Sequence, residues 1–327
     1  MILIEPYAGY GTRSKALVLG RVLEDEGIGP PAAGDRRWRN LAAFLRRMES
    51  DELPFARLRI RGKTVVADRE GYFRAEVAGR FKAGWNELPV ELVGRAGGEA
   101  VARVLVPSPA ARFGVISDID DTVVYTHVTR RVRMLLTVAL SNARTRKPFA
   151  GVAALYQALH RGANPFFYVS KSPWNLYAPL AEMLAHQGLP AGPILLRDFG
   201  WRMEKRHKEG AIAAILDAYP RLSFVLVGDS GEKDPEIYAG IVHRYRDRIR
   251  AIYIRSVSEK RIAAIEQLAA EVAKTGCQLV LAPNTEIAAM HAAAEGLIAT
   301  EDLKNVRNDR KADARTQARL SARSEAR

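Results

Sequence analysis

Phe113-Gly-Val-Ile-Ser-Asp-Ile-Asp-Asp-Thr-Val-Val124 runs from an apolar stretch into three carboxylates, Asp118, Asp120 and Asp121. Asp is depleted in strand interiors, where Val and Ile are enriched. The apolar run therefore reads as a buried strand and the acidic cluster as the loop at its carboxyl end. In open α/β sheets that edge is where ligands bind. Crowded carboxylates raise one another's pKa values. A cation relieves the repulsion, and hard oxygen ligands suit Mg²⁺. The string D-x-D-x-T at residues 118 to 122 is weakly specific by itself, because short acidic strings recur in turns. Its meaning depends on the residues that follow.

From Phe113 onward, apolar runs alternate with amphipathic stretches, the mark of a parallel sheet with crossover helices. The runs are Gly114–Ile116, Phe166–Val169, Pro193–Leu196, Phe224–Val227, Ile249–Ile254 and Gln278–Leu281. Helical spacing is expected over Val152–His160, Leu176–Gln187, His207–Ala218, Pro235–Tyr245, Glu259–Lys274 and Thr285–Gly296, the last capped by Thr285. Residues 126–149 are too long for a tight loop and read as a small cap insert. Within it, Val128–Leu140 joins Arg130, Arg131 and Arg133 to Met134, Leu135, Leu136, Val138 and Leu140. Such a segment packs on its domain, or presents a face to lipid or an apolar substrate.

Residues 1–110 have a different texture. Ile2–Ile4 reads as a short strand stopped by Pro6, and Lys15–Val22 as a second strand. Arg36–Met48 has helical spacing. Phe55, Leu58, Ile60, Val65-Val66, Tyr72–Val77 and Leu88–Val93 then follow a period of two, with Gly-containing turns between them. That pattern predicts a β-rich unit, an antiparallel sandwich. Tyr72, Phe73 and Trp85 read as core or strand-face aromatics. Pro107-Ser-Pro109 marks a linker. At the other end, residues 299–327 are almost free of large apolar side chains and rich in Arg, a basic tail expected to be disordered or a solvated helix.

The 327 residues are enough for two domains, and 48% hydrophobic residues rule out wholesale disorder. Fifty Lys and Arg against 37 Asp and Glu give a net charge of +13, which favours anionic partners. These include phosphate esters and an acidic membrane surface. No zinc-finger or RNA-recognition string accompanies the charge, so nucleic acid is the weaker reading. The single cysteine, Cys277, begins an apolar run and reads as a small buried hydrophobe, which suits a reducing compartment. The first residues lack the basic start and apolar stretch of a signal peptide. No apolar run reaches membrane-spanning length. A cytoplasmic location, with peripheral membrane contact, is the expectation.

The partners of the acidic cluster do follow. Tyr168-Val-Ser-Lys-Ser-Pro-Trp174 places Ser170 and Lys171 at the end of the second run. A hydroxyl there can hold a phosphate oxygen, the alternative being plain turn chemistry. His207-Lys208 opens a helix, and Gly228-Asp-Ser-Gly-Glu-Lys-Asp234 follows the fourth run. Asp229 and Asp234, on the edge that carries Asp118, suggest metal ligation. A lysine opposite several carboxylates offsets charge on both nucleophile and phosphate.

This order, D-x-D-x-T, then Ser, Lys and G-D-x-x-x-x-D, matches the four motifs of the haloacid-dehalogenase superfamily. The longer strings Asp118–Thr122, Tyr168–Tyr177, Leu196-Arg-Asp-Phe-Gly200 and Gly228–Tyr238 resemble those of the actin-patch-protein-type phosphatidate phosphatases and their bacterial relatives. The resemblance covers residues 1 to about 298. It implies a haloacid-dehalogenase-like catalytic domain over residues 111–298, with a Rossmann-like parallel sheet. It also implies roles. Asp118 would be the nucleophile forming an aspartyl-phosphate, and Asp120 the general acid and then base. Mg²⁺ would be held by Asp118, the backbone carbonyl of Asp120 and Asp229, with Asp234 close by. Lys208 would stabilise charge on the transferring phosphoryl group. Ser170, Thr122 and Lys171 would bind the substrate. Asp121 would orient Lys208 or cap the turn.

The implied reaction releases diacylglycerol and phosphate from phosphatidate. Alternatives are the phosphatase of a soluble or nucleic-acid-end phosphomonoester, and a non-catalytic Mg²⁺-binding interaction protein.

Overall fold

Alternation between core-facing and exposed side chains builds the first of two units, Met1–Pro109 and Ala110–Arg327. The computed structural model describes residues 2–24, 53–94, 98–119, 150–197 and 206–325, with side chains described as far as 315. The first unit contains β1 (Ile2–Gly11), β2 (Lys15–Glu24), β3 (Arg57–Ile60), β4 (Lys63–Val66), β5 (Tyr72–Ala78), β6 (Gly84–Leu92) and β7 (Glu99–Val106). In β5, Phe73, Ala75 and Val77 are buried and the residues between them point outward.

The seven strands form one sheet in the order β4-β3-β6-β7-β1-β2-β5. Its two edge strands, β4 and β5, lie against each other. The sheet therefore curls and buries one face on itself, around Val18, Leu58, Ile60, Phe73, Val90 and Val104. This corrects the antiparallel sandwich in two respects. There is one curled sheet, and β1 runs parallel to β7 through Gly9 opposite Val104 and Tyr10 opposite Leu105. Nor does Pro6 stop β1. Pro6 stands opposite Gly20 of β2, while β7 meets β1 only at Gly9 and Tyr10, so no ladder bond is asked of the missing N–H on that side. Trp85 and Tyr72 are strand-face aromatics covered by guanidinium groups, Arg103 and Arg21, each 4.6 Å from the ring centroid. The helix expected over Arg36–Met48 lies outside the described residues.

The second unit is built on β8 (Gly114–Asp118), β9 (Phe166–Pro173), β10 (Ile194–Arg197), β11 (Phe224–Asp229), β12 (Ile249–Arg255) and β13 (Leu279–Ala282). All pair in parallel, in the order β10-β9-β8-β11-β12-β13. The strands read as unbroken apolar runs because both faces are covered. Phe166, Phe167, Val225, Leu226 and Ile252 are fully buried. The covering helices are α1 (Val152–His160), α2 (Tyr177–His186), α3 (His207–Ala218), α4 (Asp234–Arg244), α5 (Ile262–Ala273), α6 (Thr285–Ala294) and α7 (Asp302–Glu325). They pack as two groups, α1 with α6 and α7, and α3 with α4 and α5. The chain winds outward from β8 through β9 to β10, then returns to β11 on the other side of β8. This makes the carboxyl ends of β8 and β11 the switch point, where a doubly wound sheet opens a crevice. The cap insert over 126–149 lies outside the described residues.

The basic tail is helical over Asp302–Glu325. Its first half, in α7, is docked, with Val306 fully buried. Asp313 accepts a hydrogen bond from Gly151 N at 2.9 Å and Asp309 one from Ala154 N at 3.2 Å. These two carboxylates serve the first turn of α1, which has no side-chain cap of its own. Gly151 is in the left-handed region (φ 84°), and an added Cβ would lie 3.0 Å from Thr285 Oγ1 and from Val306 O. Thr285 Oγ1 donates to Ala150 O. The cap of α6 is Asn284, which accepts from Ile287 N at 3.2 Å, and not Thr285 as the sequence suggested.

Asp313→Ala is expected to destabilise this unit by about 1 kcal/mol, the usual worth of a lost helix cap. Urea unfolding followed by circular dichroism would measure it, and no change in midpoint would show that water replaces the carboxylate without loss. Cys277 is buried, and burial pushes its thiol up to about 11, which leaves it unreactive near neutral pH.

Candidate functional site

Asp118 is the last residue of β8 and Asp229 the last of β11, neighbouring strands at the switch point. Asp234 lies in the first turn of α4 and Lys208 in the first turn of α3. Successive residues of a strand face opposite sides of the sheet. At the end of β8, Ser117 turns to α1, where its hydroxyl and that of Tyr156 are 2.7 Å apart. Asp118 turns the other way, to Lys208.

One carboxylate oxygen from each of Asp118, Asp229 and Asp234 lies within 4.8 Å of the other two. Lys208 Nζ donates to Asp118 Oδ1 at 2.7 Å and to Asp234 Oδ1 at 2.6 Å, with its side chain 1% exposed. A buried ammonium is retained only when paired, and two carboxylates meet that condition here. Three carboxylates against one ammonium still leave an excess of negative charge. Burial and that excess push Asp234 up to about 6, although the charge and hydrogen bond of Lys208 pull it down. An all-oxygen, net-negative donor set of this kind fits a hard divalent cation such as Mg²⁺.

The β11–α4 turn sets the geometry. Asp229 Oδ1 accepts hydrogen bonds from Gly231 N at 2.6 Å and Glu232 N at 3.2 Å, and Asp234 Oδ2 accepts one from Asp229 N at 3.3 Å. A Cβ on Gly228 would sit 2.5 Å from Asp234 Oδ2 and 2.9 Å from its Cβ. The backbone of β11 can approach Asp234 this closely only at a glycine. Below the turn, Tyr238 donates to Val227 O at 2.9 Å. A cavity with mainly apolar walls opens beside Asp118 and Asp229, with Tyr156, Tyr253 and Arg255 among its lining.

Ser170, fully buried in β9, lies one strand away from Asp118, and its Oγ accepts from Ser172 N at 2.9 Å. Lys171 is held at 2.6 Å by Glu232, whose carboxylate is also 3.4 Å from Lys208 Nζ. Burial raises the pKa of Glu232, but Lys171 and Lys208 more than offset that, and the net shift is downward. Glu232 is therefore the anionic link between two lysines. It was not among the residues singled out from the sequence, and the available signal was a carboxylate midway between Asp229 and Asp234 in a turn facing two lysines. The structure thus gathers Asp118, Asp229, Asp234 and Lys208, with Lys171 joined through Glu232. Asp120, Asp121 and Thr122 lie outside the described residues.

Residues 113–256 match the family described as phosphatidate phosphatase APP1, catalytic domain. Over 154 residues the chain is 36% identical to phosphatidate phosphatase APP1 of Saccharomyces cerevisiae, covering 45% of this chain and 26% of that protein. It is 30% identical over 153 residues to an uncharacterised protein of Schizosaccharomyces pombe, covering 44% and 25%. The match thus spans about a quarter of the length of these relatives. Among solved structures, a siderophore-interacting protein of Acinetobacter baumannii aligns over 83% of this chain and 98% of its own at 9% identity. Its TM-score of 0.23 is too low to inform the fold. Residues 113–256, which carry all four gathered side chains, are thus the part of the chain that resembles the APP1-type phosphatidate phosphatase catalytic domain.

Proposed function

We propose that this chain is a Mg²⁺-dependent, haloacid-dehalogenase-like phosphatase that hydrolyses phosphatidate to diacylglycerol and phosphate through an aspartyl-phosphate on Asp118. The observation that carries the reading is the buried meeting of Asp118, Asp229 and Asp234 with Lys208, inside the segment that matches the phosphatase family.

Asp229 and Asp234, with Asp118, would hold the cation, which when bound supplies positive charge beside the phosphoryl oxygens. Asp118 attacks phosphorus, forming one P–O bond as the bond to the glycerol oxygen breaks. Asp120, the general acid by resemblance, gives its proton to that oxygen. It then takes a proton from the water that cleaves the acyl phosphate and restores Asp118. Lys208, fixed by Asp118 and Asp234, offsets charge on the transferring group. Ser170 and Thr122 hold phosphate oxygens, and Lys171 extends positive charge outward from the site. Among the described residues no helix is long and apolar enough to cross a membrane. In this reading the protein is cytoplasmic and meets its lipid at a membrane surface, to which a net charge of +13 contributes attraction.

Phosphate release from dioctanoyl phosphatidate, an aryl phosphate and a 5′-phosphorylated oligonucleotide, each with Mg²⁺ and with chelator, tests the proposal. Mg²⁺-dependent release favouring the lipid is the expected result. Release from only the aryl or oligonucleotide substrate would retain the chemistry and discard phosphatidate, and release unaffected by chelation would remove the cation from the scheme.

A further inference from the structure

Arg261 lies in a short 3-10 turn, Glu259–Arg261, that leads into α5. It is outside the segment that matches the phosphatase family, yet its guanidinium reaches the acidic turn of the site. Nη1 donates to Ser230 O at 2.9 Å and to Glu232 O, and Nη2 pairs with Glu236 of α4. We infer that Arg261 is a positioning residue that orients Asp229 for the cation through the peptide units of the turn, an inference that rests on the Mg²⁺-dependent reading above.

The argument follows from peptide planarity. In a trans peptide the C=O and the N–H of one unit point in opposite directions. The unit between Ser230 and Gly231 gives its carbonyl to Arg261 and its N–H to Asp229 Oδ1, at 2.6 Å. Holding the carbonyl on one side fixes the donor on the other. Asp229 Oδ1 is therefore held to the turn by Gly231 N and Glu232 N, which fixes the carboxylate that lies within 4.8 Å of those of Asp118 and Asp234. The second bond, to Glu232 O, anchors the residue whose carboxylate holds Lys171 and approaches Lys208.

The same face of the turn is pinned by Ser230. Its fully buried hydroxyl accepts from Val257 N at 2.8 Å and Ser258 N at 3.0 Å, and its N–H donates to Arg255 O at 2.9 Å. Arg261 is the one side chain of this frame that bridges two carbonyls and a carboxylate at once. A planar five-donor fork does this from two separate nitrogens, whereas an ammonium must serve every acceptor from a single point.

The test uses the full-length chain, wild type, Arg261→Ala and Arg261→Lys. The readouts are Mg²⁺-dependent rise in melting temperature, kcat and KM for dioctanoyl phosphatidate across a Mg²⁺ series, and both again with millimolar guanidinium present. Groups that orient metal ligands typically alter affinity by 10-fold or more, so Mg²⁺ half-saturation is expected to rise by about tenfold in both variants. KM for the lipid stays near the wild-type value, kcat recovers at high Mg²⁺, and free guanidinium restores much of the Mg²⁺ affinity of Arg261→Ala. A purely structural role would lower the melting temperature of the metal-free chain and leave Mg²⁺ half-saturation unmoved, and that result overturns the inference. Should Arg261→Ala fail to fold, Arg261→Lys decides the matter, because it keeps the charge and loses the bridge. A wild type without a Mg²⁺ response or phosphate release overturns the underlying reading and this inference with it. A wild type with both, matched by the variants, overturns only the inference.

Discussion

Asp118→Asn is expected to lower phosphate release by about 10³-fold or more, the scale on which removing an enzymic nucleophile acts. The substitution keeps the shape of the side chain and an oxygen that can still accept from Lys208, now 2.7 Å from Asp118 Oδ1. What it removes is the charge and the attacking oxygen. Stability should not fall in step. Asp118 shares a buried cluster with Asp229 and Asp234, so neutralising one of the three relieves repulsion between like charges. The metal-free variant should therefore melt at or above the wild-type temperature while its kcat collapses. Steady-state phosphate release and thermal melting, read on one preparation, check the two halves together. Activity within about tenfold of wild type would remove Asp118 from the nucleophile's place.

Lys208→Met should have the largest effect on stability. The ammonium serves Asp118 and Asp234 from a site that is 1% exposed. Methionine fills similar space and leaves the carboxylates unpaired. Breaking a buried ion pair in this way costs about 3–5 kcal/mol. The deficit should depend on pH in a definite direction. Burial already raises the folded-state pKa of Asp234 to about 6, above its ordinary 3.8. A carboxyl raised on folding binds its proton more tightly in the folded chain, so stability declines as pH rises through the folded value. Lys208 restrains that rise. Without it the pKa climbs further, and the deficit relative to wild type is smallest near pH 5 and grows toward pH 8. Mg²⁺ should recover part of the loss at pH 8. Denaturant unfolding at the two pH values is the measurement, and a deficit independent of both pH and Mg²⁺ would mean that packing, not charge, is what Lys208 supplies. Phosphate release should fall by about 10²–10³-fold even where the variant is folded, since a charge placed for the transition state is lost.

Much of the second unit was legible because its physics is one-dimensional. A strand buried on both faces must be an unbroken apolar run, so Val115-Ile116, Phe166–Val169 and Phe224–Val227 announce themselves. The residues just past each run then fall on one edge of the sheet, and Asp118, Ser170 and Asp229 could be placed there before any geometry. Less legible was whatever depends on pairing between distant segments. The parallel match of β1 with β7 leaves no local trace, and Pro6 looks like a stop until its neighbours are known. The docking of α7 uses Val306 and two carboxylates, Asp309 and Asp313. Acids in an Arg-rich tail look solvated unless a helix start is known to lie beneath them. Glu232 and Arg261 were missed for a similar reason. A charged residue in a turn is ordinarily at the surface, and what sets these two apart is the pair of lysines and the two backbone carbonyls they meet.

The switch point also has a consequence for how the site comes into being. Asp118 ends the first strand of the sheet in sequence and Asp229 the fourth, with β9, β10 and three helices of chain between them. Bringing them together closes a long loop, an entropic cost met only when β11 docks beside β8. No early fragment of this unit, such as β8 with its first crossover, holds more than one of the three carboxylates. Cation affinity should therefore be absent from the nascent chain through β10 and arise in a single step as the two halves of the sheet join. Binding of the ion then reports completed assembly, and a partly folded molecule is spared an acidic pocket able to capture metal or phosphate before the rest of the machinery is in place.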